Sequence, residues 1–597
     1  MCTVHTLHSS CSIKLRLLSK LILATVFAFG QIAADSRPAL AVELEFLDGQ
    51  VTGYFDTTVS LGVSVRVADR DDSLIGIANG GTATTVNTDD GNLNYKQGDI
   101  TSAATKAIHE LELKWRNFEF FGRGFYFYDW LVADTERTKL TEQAEGRTVR
   151  DIELLDAYGV SNFEVRNSPV TVRLGNQVIN WGESTFIQNG INTINPVDVS
   201  KLRVAGAELR EALTPVPALD VDIAFTDKLS VEAFYQFGWR RTDIDPKGTF
   251  FSTNDFISPG GNFAVVKGAG TSPDNPPTFD NFVTRAGDRN PRDFGEFGVA
   301  LRYFEPALYD TEFGLYYIHY HSRLPLTSAS STTGGIGSAS GAGYFVEYPD
   351  DIDLLGASFN SEIDIGTNSL AIQGELSYRF DQPLQVDDSE LIVAALNLCG
   401  VGGRQSQLDA NGAGALCGFA AGEKINGFRT KEVLQAQMTV TQILGATFGA
   451  DQVVLLGEAG LTWVPDLEAT SVLRYDGPGT GPGDPGTAAA NGVPLQTDGF
   501  ADKFSWGYRL LGQLLFNDAI AAVNLAPQVA FAHDLEGTTP SPIGNFVKDR
   551  KTVTLSLRAT YLERWQARVA YTNFFGAGSF NLVNDRDFVS TVVSYAF

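Results

Sequence analysis

Apolar and polar residues alternate one by one along many segments of this chain, each about 10 to 16 residues long. Between positions 552 and 561, the odd positions are apolar or aromatic, and the even positions carry hydroxyl groups or an arginine. The segments 229–241 and 367–380 follow the same pattern. A period of two is that of a β-strand with one apolar and one polar face. The pattern therefore predicts an all-β protein.

Alternation fits both a soluble sandwich with one wet face and a membrane barrel. The predicted strands are long for a sandwich, but they suit strands tilted across a membrane. Phe597, the last residue, shares a face with Val593 and Tyr595, which resembles the terminal strand of bacterial outer-membrane barrels. Aromatic residues also gather near strand ends, as an interfacial girdle requires. These features favour a transmembrane antiparallel β-barrel. The clusters are Tyr126, Tyr128 and Trp130, and Tyr316, Tyr317 and Tyr320.

The chain divides into about 18 predicted strands, and a count of about 16 stays open. Every second connection is tight, as around Asn517–Asp518 and Gly366–Thr367, whereas the others are long and rich in Gly, Pro, Asn, Asp and Ser. Barrels place tight turns in the periplasm and long loops outside, and only closure removes unpaired sheet edges from lipid. The predicted strands are 50–67, 105–116, 117–132, 152–166, 169–179, 217–227, 229–241, 294–305, 310–324, 351–365, 367–380, 428–446, 449–464, 501–517, 518–533, 550–563, 564–576 and 584–597.

The first 41 residues read as a signal peptide. Lys14, Arg16 and Lys20 precede an apolar run over 21–34, and Ala39-Leu40-Ala41 fits a cleavage site. The alternative is an uncleaved anchor, but the run is short for a membrane span. The expected mature domain is a single barrel over 42–597, located in the bacterial outer membrane.

Composition and candidate chemistry narrow the function classes. Asp plus Glu outnumber Lys plus Arg by 71 to 45, and the net charge of −26 excludes a nucleic-acid partner. His319 and His321 share a strand face, but the tyrosines around them favour an aromatic belt over a metal site. No G-x-S-x-G motif is present. We expect no enzyme, no cofactor and no metal. In an oxidising compartment, Cys399 and Cys417 would form a disulfide.

The segment 180–216 has no regular period and mixes apolar residues with charges and amides. Such a loop suits neither water nor lipid, so we expect it to fold into the lumen, either as a closed plug or as a constriction that selects substrate. Its candidate residues are Trp181, Glu183, Asn192, Asn195, Asp198, Lys201, Arg203, Glu208 and Arg210. The candidate residues of the facing wall are Arg173, Arg302, Glu375, Arg558 and Arg568.

Four segments carry a family resemblance: GYFDTTVSLGVSVRVADRD (53–71), NLNYKQGD (92–99), RLGNQVINWGESTFIQNGINTINPVDVSKLR (173–203) and DRDFVSTVVSYAF (585–597). They resemble the DUF1302 family of exported proteins of Gram-negative bacteria, whose function is poorly defined. The resemblance implies an outer-membrane β-barrel. Members often accompany a DUF1329 protein, which resembles a LolB-type lipid carrier, and an RND-type transporter. These associated proteins imply transport of hydrophobic or lipid-like compounds. The resemblance implies no catalytic residue.

These observations favour a channel or transporter for hydrophobic or amphipathic small molecules, with outer-membrane lipid, a periplasmic DUF1329-type carrier and an RND-type transporter as expected partners. The loop 242–293 is rich in phenylalanine and offers an external apolar capture site. A general diffusion porin for small polar solutes is the first alternative, and a non-transport structural surface protein is the second. The phenylalanines are Phe250, Phe251, Phe256, Phe263, Phe279 and Phe282.

Overall fold

The structure, a computed structural model, describes residues 42–266, 268, 270–277, 281–332, 343–365, 368–409 and 417–597. The predicted signal peptide, the turn at Gly366–Thr367 and Phe279 lie outside this part of the chain. None of the helices in these ranges is long and apolar enough to cross a membrane.

Eighteen long antiparallel strands form one sheet that closes on itself, which confirms the predicted barrel and its strand number. The alternative count of 16 is wrong. The last strand pairs with the first, with Val593 opposite Leu61. The strands are β1 (Val51–Arg66), β2 (Ile100–Trp115), β3 (Phe118–Asp129), β4 (Arg150–Val165), β5 (Ser168–Gln177), β6 (Val216–Thr226), β7 (Leu229–Gln236), β8 (Phe297–Glu305), β9 (Thr311–Tyr320), β10 (Ile352–Ile365), β11 (Asn368–Gln385), β12 (Phe428–Leu444), β13 (Gln452–Trp463), β14 (Phe504–Ile520), β15 (Val523–Glu536), β16 (Lys551–Tyr561), β17 (Trp565–Phe575) and β18 (Phe588–Ala596).

The seam between β1 and β18 is completed by a short strand, Val42–Phe46, which pairs with the first half of β1. β18 covers only the second half of β1, from Thr58 onward. Phe597 exchanges two backbone hydrogen bonds with Thr57, at 2.8 and 2.9 Å. The strand Val42–Phe46 and β18 therefore share one edge of β1 and leave little of it unpaired.

One predicted turn is misplaced. The sequence places a turn at Asn517–Asp518, but β14 continues to Ile520 and the chain reverses at Ala521. The pairing register shifts between Phe516 and Ile520. A bulge therefore absorbs the residues that signal a turn, because Asp tolerates the positive φ of 47° found at Asp518.

The outer face of the barrel is apolar, because strand geometry directs every second side chain outward. On β16, Leu555 and Leu557 are 48% and 46% exposed. Inside, the hydroxyl groups of Thr554 and Thr572 lie 3.0 Å apart. Large aromatic side chains are exposed at both ends of the neighbouring strands β2 and β3: Tyr126, Tyr128 and Trp130 at the long-loop end, and Trp115 and Phe118 at the turn end.

The long loops are joined at their own end of the barrel. Five short strands from three loops pair into a second sheet, and a disulfide links Cys399 to Cys417. These short strands are Phe263–Val265, Phe282–Arg285, Leu326–Ser330, Gly343–Glu347 and Lys424–Ile425.

Candidate functional site

The segment between β5 and β6 folds into the barrel and contacts strands far from its own. Glu375 on β11 accepts hydrogen bonds from the backbone N–H groups of Glu183 (2.6 Å) and Ile191 (2.9 Å). Glu375 is 6% exposed, whereas its neighbour Leu376 is 44% exposed on the outer face. The carboxylate therefore lies on the inner face and holds the segment inside the lumen.

Glu458 on β13 forms the second anchor of this segment. Its carboxylate oxygens accept the backbone N–H groups of Thr185, Phe186 and Ile187 at 2.7 to 2.8 Å. Hydrogen bonds to a charged acceptor contribute about 1.5–3 kcal/mol each. Two inward carboxylates thus hold a stretch of backbone that has no regular structure of its own.

Close approach at the first anchor requires a glycine. A Cβ atom on Gly190 would lie 1.7 Å from Oε1 of Glu375, which is well inside van der Waals contact. On the other side of the same turn, Arg379 of β11 donates to the backbone carbonyl of Gly190 at 2.6 Å. A larger residue at this position would have to displace either the carboxylate or the backbone.

Ion pairs fix the second half of the segment to the opposite wall. Lys106 on β2 lies 2.5 Å from Glu211, and both side chains are buried. Arg210 contacts Glu110 of β2 at 3.0 Å. Lys201 pairs with Glu153 of β4. The segment is therefore tied to β2 and β4 on one side and to β11 and β13 on the other.

Two of the predicted lumen residues serve as structural supports. Trp181 is 1% exposed, and its ring lies 5.0 Å from that of Phe234 and 5.8 Å from that of Tyr316. Asn195 accepts the N–H of Ile179 at 2.8 Å and donates to the carbonyl of Thr214 at 3.0 Å, which joins the two ends of the segment. Neither side chain is available to line an open passage.

The other predicted residues of the segment pair within it or with adjacent loops and strands. Glu183 accepts from Asn360 at 3.1 Å, and Arg203 contacts Asp245 at 3.0 Å. Burial raises the pKa of the Asp198 carboxyl, although Lys201 lies 3.8 Å away. Asn192 donates to Asn180, and Glu208 lies 2.8 Å from Arg210.

The predicted wall residues fall into two groups. Arg173 and Arg302 are paired, the first with Asp220 at 2.6 Å and the second with Glu232 at 2.6 Å. Arg558 on β16 and Arg568 on β17 lie directly opposite each other in the strand register. Glu375 belongs to neither group, since it anchors the segment.

Two polar cavities flank the infolded segment. One measures about 600 Å³ and has charged residues of both signs, including Glu153, Lys201 and Arg240. The other measures about 250 Å³ and lies between residues 202–208 and the wall formed by β16 to β18. The segment thus divides the lumen and leaves spaces of small-molecule size.

The phenylalanines that the structure describes in loop 242–293 contact aromatic rings of the same loop, of a neighbouring loop or of the barrel wall. Phe250 is 3% exposed, and the guanidinium groups of Arg66 and Arg586 lie 5.7 and 5.6 Å from the centre of its ring. The apolar cavity beside Phe256 measures about 40 Å³, which is room for about one or two water molecules. The larger volumes therefore lie beside the infolded segment.

Sequence reasoning missed Glu458, Lys106 and Glu211, which all hold the segment. Glu458 and Lys106 follow the same alternation as the predicted wall residues. Each occupies an inner-face position between two outward-facing neighbours. Glu211 lies inside the predicted segment but follows Arg210 in a run of charges. The alternation could have identified the first two as inward, but not as partners of this loop.

Comparison with protein families gives one match. The sequence model of the family described as "Protein of unknown function (DUF1302)" matches residues 20–597. No curated protein matches the chain.

Solved structures of proteins from Acinetobacter baumannii and Pseudomonas aeruginosa have a similar fold. OccAB1 of Acinetobacter baumannii is 10% identical with a TM-score of 0.42, and the alignment covers 94% of this chain and 99% of that one. OprD of Pseudomonas aeruginosa is 9% identical with a TM-score of 0.39, and coverage is 94% and 99%. OccK2 of Pseudomonas aeruginosa, solved in complex with glucuronate, is 9% identical with a TM-score of 0.39, and coverage is 93% and 99%.

Proposed function

This chain belongs to the DUF1302 family, whose function is unknown, and on that premise we propose that it is an outer-membrane channel for small amphipathic or hydrophobic molecules. Its infolded segment narrows the lumen and selects what passes. No catalytic step and no cofactor are part of the proposal.

The outer-membrane location is supported by the exterior of the barrel. Leucines and valines such as Leu555 and Val569 are about half exposed along the strands, and a continuous apolar band of this kind is unfavourable in water. Lipid acyl chains solvate such a band, while closure of the sheet pairs each strand with a neighbour on both sides. The exposed aromatic side chains at both strand ends match the two interfaces of a bilayer.

The observation that carries the proposal is the anchoring of residues 183–211 across the lumen. Glu375 and Glu458 hold one half, and the buried pair of Lys106 and Glu211 holds the other. A barrel of this strand number would otherwise enclose a wide aqueous channel. The anchored segment leaves a cavity of about 250 Å³ that has both apolar and polar walls, which suits a small amphipathic molecule.

A general diffusion porin is the second candidate. It is favoured by the cavity of about 600 Å³, whose walls carry Glu153, Lys201 and Arg240 and have no aromatic side chain. A charged eyelet of this kind passes small hydrated solutes according to size and charge.

The proposal includes partners on the periplasmic side. A DUF1329-type lipid carrier and an RND-type transporter would accept or deliver the cargo, since an apolar molecule does not cross the aqueous periplasm unaided. The tight turns, such as that at Arg166–Asn167, face this compartment in the proposed orientation.

The test compares two fluxes. Purified protein is placed in liposomes, and swelling is measured with arabinose. Cells that express the protein are then assayed for uptake of N-phenylnaphthylamine, whose entry the lipopolysaccharide leaflet slows. We expect slow swelling and a saturable increase in dye uptake. Fast, unsaturable swelling with unchanged dye uptake would support the porin instead.

A further inference from the structure

Two arginines of the inner wall face each other without an acidic partner. Arg558 and Arg568 are directly opposed across β16 and β17, on the face that carries Thr554 and Thr572. No carboxylate of the described residues lies within 4.0 Å of either guanidinium group, and neither makes a hydrogen bond in that part of the chain. Like charges placed opposite each other in a sheet destabilise it. The fold therefore tolerates a local excess of positive charge here.

Other inner arginines have partners in the protein, and Arg379 donates to the backbone carbonyl of Gly190 at 2.6 Å. Arg123, Arg173, Arg302 and Arg509 each lie 2.6 to 2.8 Å from a carboxylate. The wall around the unpaired arginines offers no such group, because Arg558 faces Ala526 on one side and Arg568 faces Val592 on the other. Arg558 and Arg568 thus differ from these five arginines, because neither has a hydrogen bond or an ion pair among the described residues.

Arg568 lines the cavity of about 250 Å³. Serine and threonine hydroxyl groups line one part of that cavity, and the aromatic rings of Phe251 and Phe588 line another together with Val592. The charged residues on the far side are already paired, Arg203 with Asp245 at 3.0 Å and Glu208 with Arg210 at 2.8 Å. Arg568 is therefore the one cation among the described lining residues that has no protein anion.

We propose that this cavity binds the anionic head of a small amphipathic carboxylic acid, with the carboxylate on Arg568 beside Arg558 and the apolar part against Phe251, Phe588 and Val592. This inference rests on the proposed function and names its substrate class. A planar guanidinium group binds a carboxylate through two parallel hydrogen bonds. The volume lies just below the ~300 Å³ typical of small-molecule pockets, so the acid is a short one.

The probe is octanoate, and the measurement is equilibrium binding to the purified full-length protein in detergent. Octanamide, which has the same chain and no charge, controls for apolar partition into the micelle. Acetate, which has the charge and almost no chain, controls for a general anion patch. We expect octanoate to bind more tightly than both, with an affinity that falls as the salt concentration rises.

Three variants test the residues. Arg568→Gln is expected to weaken octanoate binding by about tenfold or more, and Arg558→Gln/Arg568→Gln to remove the preference for octanoate over octanamide. Arg568→Lys restores part of the affinity. Arg240→Gln is the matched control, since it removes a cation from the other cavity, where Glu153 lies 3.7 Å away, and it should leave octanoate binding unchanged. Heat-modifiable migration in gels verifies that each barrel is folded.

The outcomes separate this inference from the proposed function. Equal octanoate binding by the wild type and the double variant, or equal binding of acetate and octanoate, would overturn the site. Slow arabinose swelling and saturable dye uptake could still hold in that case, and the proposed channel would stand. Fast swelling together with Arg568-dependent octanoate binding would overturn the channel and leave the site.

Discussion

The ammonium group of Lys106 lies 2.5 Å from a carboxylate oxygen of Glu211, and the two side chains are 2% and 0% exposed. The pair joins the barrel wall to the infolded segment in a place that water does not reach. Replacing one partner of such a pair by an apolar residue leaves an uncompensated charge in a buried site. Replacing both partners by apolar residues of similar volume is often tolerated.

Lys106→Met should therefore destabilise the protein by about 3–5 kcal/mol. The free energy of unfolding in guanidinium chloride measures the loss. Lys106→Met/Glu211→Met is the matched control and should recover most of it. Equal stability of the single variant and the wild type would mean that the pair does not hold the segment.

Deletion of residues 184–210 should raise the single-channel conductance in planar bilayers. It removes Lys201, Arg203 and Arg210 from the lumen and frees the carboxylates of Glu375 and Glu458, so the enlarged pore should also prefer cations. Reversal potentials in a salt gradient measure that preference. Unchanged conductance would contradict a segment that narrows the lumen.

Gly190→Ala should release the first anchor. The added methyl group meets Oε1 of Glu375 at 1.7 Å, so either the backbone or the carboxylate has to move. We expect larger current fluctuations in bilayers and a lower Tm. Gly124→Ala on β3 is the control, because nothing lies within 4 Å of its added Cβ atom. Identical behaviour of the two variants would show that the anchor tolerates a side chain.

The outer loops should lose stability as the pH rises. Burial raises the pKa of Asp89 to about 7, although its carboxylate accepts hydrogen bonds from Gly76 (2.8 Å) and Asn79 (2.9 Å). The folded state therefore holds a proton that the unfolded chain releases near pH 4, so stability is full below that pH and falls as the pH rises to about 7.

Asp89→Asn should flatten this dependence, because a neutral amide does not titrate. The Tm in detergent, measured between pH 4 and pH 8, compares the variant with the wild type. Asp48→Asn in the exposed N-terminal hairpin turn is the control and should keep the slope of the wild type. A wild-type Tm that stays constant over this range would contradict the assignment.

The sequence predicts the wall of this barrel well because the signal is local. Alternation at a period of two is visible within ten residues, as between Thr552 and Tyr561, and it needs no knowledge of the partner strand. A bulge interrupts the alternation near Asp518, and the sequence therefore predicts the turn at the wrong place.

The interior is harder to predict because its contacts join residues far apart in the chain. The segment 180–216 can be recognised by its lack of period, but Glu375 and Glu458 lie at least 184 positions after the residues whose N–H groups they accept. Trp181 illustrates the same limit. Its position in a segment of mixed polarity suits a lumen lining, whereas its packing against Phe234 and Tyr316 places it in a core.

The shared edge at the seam determines where affinity tags can be attached. Residues fused after Phe597 would run on along β1 toward Phe55, where Val42 already sits. A C-terminal purification handle would therefore compete with the N-terminal hairpin for the same row of peptide groups, and an exposed outer loop is the better position for it.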